Sequence, residues 1–121
     1  MKRIAQAVLW VTLTIPGTAF AADPRGNFAV IGTGDVACAE YTTEQSTGGA
    51  DQFLAEAEVS WVQGFLTAYN VYVPTVDGDI TSTTTAGAVK GWLSSYCARH
   101  PLDKIVIAAT ELVAELKARK H

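Results

Sequence analysis

The stretch DQFLAEAEVSWVQGFLTAYNVY, residues 51–72, decides the fold. Phe53, Ala57, Trp61, Phe65, Ala68 and Tyr72 recur at intervals of three or four, and Leu54, Val62, Leu66 and Tyr69 widen the stripe. That spacing gathers apolar side chains on one side of an α-helix. Asp51 is placed to cap it, and Glu56 and Glu58 come early enough to suit the positive end of its dipole. Pro74 and Gly78 end it, and Val73 to Thr85 reads as a polar, turn-rich connection.

On the N-terminal side, Ser46-Thr47-Gly48-Gly49 separates this helix from a shorter one that Asp35 can cap and that runs to about Thr43, with Cys38 and Tyr41 on one face. On the C-terminal side, Thr85 can cap a helix reaching about Ala98, whose apolar face is Val89, Trp92, Leu93, Tyr96 and Cys97. Pro101 suits the first turn of a last helix, with His100 near its cap. There Leu102, Ile105, Val106, Ala109, Leu112, Val113 and Leu116 keep the three-and-four spacing, and Lys117, Arg119 and Lys120 complement the dipole. No segment has a period of two. The expected fold class is all-α, a small bundle of three main helices plus a short N-terminal one.

The chain has 121 residues, 49% hydrophobic against 17% charged, too apolar to stay disordered and long enough for one small domain. Residues 1–21 have the layout of a cleavable export signal: Lys2 and Arg3, an apolar run of about a dozen residues, then Pro16-Gly17 and Ala19-Phe20-Ala21. The run is short of the roughly 20 residues that span a bilayer. Export out of the cytoplasm is therefore expected, followed by a flexible arm over 22–34 and one helical domain over 35–121. The net charge is −3 and the leader contains two of the basic residues, which speaks against nucleic acid or an anionic membrane as partner.

Cys38 and Cys97 are the only cysteines. In an exported chain an even count is expected to pair, closing the bundle through a loop of about 60 residues worth on the order of 4 kcal/mol. The Cys-x-x-Cys spacing of a redox pair is missing, and His100 and His121 are too few to complete a metal site. No nucleophile elbow, phosphate loop, zinc-protease motif or complete dinucleotide fingerprint occurs. Glu40 and Glu44 share a helix face and read as a solvated pair. No catalytic residue, metal or cofactor is expected. Between Arg25 and Lys90 the chain has acidic residues and no Lys or Arg, whereas bases dominate afterwards. This pattern is either ordinary solvated surface or an acidic half that meets a basic half, in the same subunit or a second one, through contacts that low pH would loosen.

Three stretches carry a resemblance: Asp35-Val36-Ala37-Cys38-Ala39-Glu40-Tyr41, Trp61-Val62-Gln63-Gly64-Phe65-Leu66-Thr67-Ala68-Tyr69-Asn70, and Trp92-Leu93-Ser94-Ser95-Tyr96-Cys97-Ala98-Arg99-His100-Pro101-Leu102. Together they resemble the HdeA/HdeB-like group of small periplasmic proteins. That resemblance implies a helical domain closed by one disulfide, a possible homodimer, and an ATP-independent acid-stress chaperone that binds unfolding periplasmic proteins. Its binding face would be Trp61, Phe65, Tyr69, Trp92 and Tyr96, which also read as core. The Gly-Phe-Leu and Cys-x-x-x-Pro stretches are also similar to Tai-class immunity proteins of type VI secretion, which occlude a cell-wall amidase toxin. Under that reading the partner is one specific protein, engaged by a loop such as Val73 to Thr85.

Overall fold

Residues 51–72 do form one helix. It belongs to a computed structural model that describes residues 25–73 and 78–120. The expected signal over 1–21 lies outside the described residues, as do 74–77 of the connection. Four helices follow in order, α1 (Cys38–Thr47), α2 (Ala50–Tyr72), α3 (Ala86–Arg99) and α4 (Ile105–Ala118), after a single 3₁₀ turn at Thr33–Asp35. No strand occurs among the described residues beyond one isolated bridge, Ala37 with Lys104. The protein is a small all-α bundle closed by a Cys38–Cys97 disulfide.

The side of α2 that enters the core differs from the expected one. Ala55, Glu58, Val59, Val62 and Leu66 are buried, whereas Phe53 is 79% exposed and Leu54, Ala57, Ala68 and Tyr72 also face solvent. Trp61, Phe65 and Tyr69 lie half-buried along the flank of the core. The physical reason is that α2 is apolar around more than half its circumference, so two stripes compete. The one with small side chains at Ala55, Val59 and Val62 admits α1, α3 and α4 at close range.

Helix starts also differ from expectation at α1, α2 and α4. α1 begins at Cys38, because its first N–H groups are satisfied from far along the chain: Cys38 N–H donates to the Asp103 carbonyl (2.8 Å) and Ala39 N–H to Pro101 (3.0 Å). Asp35 does not cap it; its carboxylate pairs with Lys104 instead. Gly48 and Gly49, at φ 74° and 63°, make the break before α2, and Gly49 rather than Asp51 precedes it. Thr85 caps α3 as expected, accepting from Ala88 N–H (3.2 Å). Pro101 stands in the turn between α3 and α4, so Leu102 is outside the last helix and 93% exposed. From Ile105 on, the α4 stripe is the expected one.

Tyr41, Val62, Leu93, Ile105 and both cysteines pack at the centre, and each large aliphatic side chain so enclosed contributes about 1.5–3 kcal/mol. Between α1 and α3, Gln45 Nε2 donates to Ser94 Oγ (2.8 Å) and to the Tyr41 hydroxyl (3.1 Å). The segment read as a flexible arm is docked at its C-terminal end. Trp61 Nε1 donates to the Ile31 carbonyl at 2.7 Å, and the buried Gly34 lies against the indole.

Candidate functional site

The five aromatic side chains of the expected binding face fall into two groups. On α2, Trp61 stacks on Phe65 with ring centroids 5.6 Å apart, and Tyr69 lies half-buried one turn further on. On α3, Trp92 stacks on Tyr96 (5.1 Å) and Tyr96 on His100 (4.3 Å), a ladder at four-residue spacing. Tyr96 is buried; the other four are half-buried against the core.

What fastens the two groups is chemically different. Trp61 is held by a backbone carbonyl. On α3 the fasteners are carboxylates: Trp92 Nε1 donates to Glu115 Oε2 (2.6 Å) and the Tyr96 hydroxyl to Asp103 Oδ2 (2.7 Å). The Trp92 N–H, helped by Arg119, holds the Glu115 carboxyl below its usual range despite partial desolvation. Burial, then the hydrogen bond to Asp103, pushes the Tyr96 hydroxyl up to about 12.

The segregated charges do meet, and within one chain. Lys90 of α3 pairs with Glu56 of α2, Lys104 with Asp35, and Lys120 donates to the Asp79 carbonyl. The connection before α3 is fastened as well. Asn70 Nδ2 donates to Asp79 Oδ1 (2.6 Å) and Thr81 Oγ1 (3.1 Å), its Oδ1 accepts from Ile80 N–H (3.1 Å), and Ile80 is buried. Hydrogen bonds from the Thr81 hydroxyl and N–H hold the Asp79 carboxyl below its usual range. Beside this segment a shallow cavity of about 210 Å³ is lined by Gln63, Leu66, Thr67, Thr81, Thr84, Thr85, Ala86 and Val89, with no ionisable group among them.

One feature escaped the sequence reading. Glu44, expected in a solvated pair with Glu40, is only 9% exposed, and Glu58, expected at the dipole end, is 1% exposed. The two acids meet between α1 and α2, where burial and the neighbouring Glu44 carboxyl push the Glu58 carboxyl up. The signal was present, since Glu58 falls three residues after Ala55 and four before Val62, inside the stripe that is buried.

Both cysteine sulfurs are engaged in the disulfide, and among the described residues no cluster of His, Cys, Asp or Glu is arranged to hold a metal ion. No described helix is long and apolar enough to cross a membrane. Compared with known proteins, the chain matches no protein-family model, no curated protein and no solved structure.

Proposed function

We propose that the protein is an exported, ATP-independent holdase that binds other unfolding proteins under acid stress, as the HdeA/HdeB-like resemblance implies. The observation that carries this reading is the fastening of the α3 aromatics. Trp92 and Tyr96 are held by hydrogen bonds to Glu115 and Asp103, and protonating a carboxylate weakens it as an acceptor. Acid therefore acts directly on the groups that keep two large aromatic rings seated. The ion pairs Lys90–Glu56 and Lys104–Asp35 are removed by the same protonation, so α3 and the N-terminal segment loosen together. The seven Lys and Arg that remain without the leader, with the two His, then stand against neutral acids, and their repulsion favours an expanded chain. The disulfide limits that expansion and keeps the apolar faces within one molecule.

The test is aggregation of an acid-labile client, followed by light scattering at about pH 3 and at about pH 7, alongside circular dichroism of the protein itself. The expected result is suppression at the acid pH only, coincident with loss of near-ultraviolet signal from the tryptophans. A protein that stays folded in acid and suppresses nothing would remove the holdase reading.

A further inference from the structure

We propose that Glu44 and Glu58 hold one proton between them across the α1–α2 seam, and that this proton is a latch: it keeps the seam closed in acid, and its loss loosens the seam as pH rises. Both side chains are more than nine-tenths buried, and the Oε2 atom of each is enclosed without a hydrogen-bond partner. Two deprotonated carboxylates offer only acceptors to one another, so a shared proton is what satisfies the enclosed oxygens. The charges that act on Glu58 are those of Glu44 and Glu40, both on α1 and both negative. Tyr41, also on α1, directs its hydroxyl to Ser94 and Gln45. On α2, Glu56 is paired with Lys90, the cation that α3 brings to this region. A second carboxylate charge in this place is shielded from solvent and set among other negative charges, which makes it costly.

Burial first, then the charge and hydrogen bond of Glu44, then the charge of Glu40, push the Glu58 carboxyl up to about 8. Because the folded value lies above the unfolded one, the contribution to stability is complete below the ordinary carboxyl range and is lost as pH climbs from there through about 8. This sign is opposite to that of Glu115, which fastens Trp92, and the latch is independent of any client.

The decisive experiment is the thermal midpoint of the full mature chain between about pH 5 and about pH 8.5, for the wild type, Glu58→Gln and Glu44→Gln. In the wild type the midpoint is expected to fall by several degrees as pH rises, and Glu58→Gln, which keeps the shape and a donor without titrating, should lose most of that fall. Glu44→Gln should show a smaller fall than the wild type, since burial still acts on Glu58 alone. Wild-type and Glu58→Gln curves that stay parallel would overturn the proposal. Should either variant fail to fold, carbon-13 NMR of glutamate carboxyls in the wild type decides. One resonance titrating above about pH 7 supports the latch, and all titrating in the ordinary range of about 4–5 sinks it.

Discussion

Gly34 shows how much one hydrogen atom in place of a methyl can matter. A Cβ built there would lie 2.3 Å from Cζ2 of Trp61, and the indole cannot simply retreat because its N–H is fixed on the Ile31 carbonyl. Gly34→Ala is therefore expected to destabilise the protein by about 1–3 kcal/mol, as overpacking does. Gly64, exposed on α2 with nothing near its missing Cβ, should behave oppositely, Gly64→Ala stabilising by about 0.5–1 kcal/mol through helix propensity. Urea unfolding midpoints read both, and a shift of the same sign in the two variants would contradict the docking of residues 31–35 on Trp61. Sequence reading passed over Gly34 as part of a flexible arm because its constraint comes from a ring almost thirty residues away. It passed over Glu58 because a glutamate near a helix start has a sufficient local explanation. In both residues the deciding partner belongs to another element.

At the scale of elements, α1 is the one that cannot stand alone. Ten residues are too few for a helix to persist in water on propensity, and this one is positioned by its disulfide to α3, by the Tyr41–Ser94–Gln45 hydrogen bonds and by carbonyls of the α3–α4 turn. Cutting the disulfide, whose cysteines are 59 residues apart, should cost about 4 kcal/mol if chain entropy dominates. The loss should be local first: after reduction, amides of Tyr41 and Thr42 should exchange with deuterium well before those of Leu112 and Val113 in α4. Uniform loss of protection would mean that α1 is held by the bundle without its covalent tie. The existence of all four helices was legible, because three-and-four spacing and glycine breaks are local properties. The start of α1 was not, since its capping carbonyls at Pro101 and Asp103 are some sixty residues distant. Nor was the buried side of α2, because an abundance of apolar residues leaves the choice of face to the neighbours.

For the molecule as a whole, two sets of carboxyl groups act on stability in opposite directions, and together they set its pH range. Asp79, held low by hydrogen bonds from Thr81, and Glu115, held low by the Trp92 N–H, contribute stability above the ordinary carboxyl range that disappears as pH falls through their lowered values. Glu58, pushed up to about 8, contributes below that range and loses its contribution on the way up. The two limbs cross in mild acid, so the thermal midpoint should be highest near about pH 5 and decline on either side. Glu115→Gln should flatten the acid limb and leave the neutral one unchanged, while Glu58→Gln should do the reverse, since the groups that shift the two carboxyls are different. Added salt should raise the acid limb in particular, because there the repulsion among unbalanced cations is what opens the chain. A midpoint that falls steadily from about pH 7 to about pH 4 would show that the acid-labile fasteners outweigh the buried pair throughout. The opening of α3 would then begin at pH values where the proposed latch should still be holding α1 to α2.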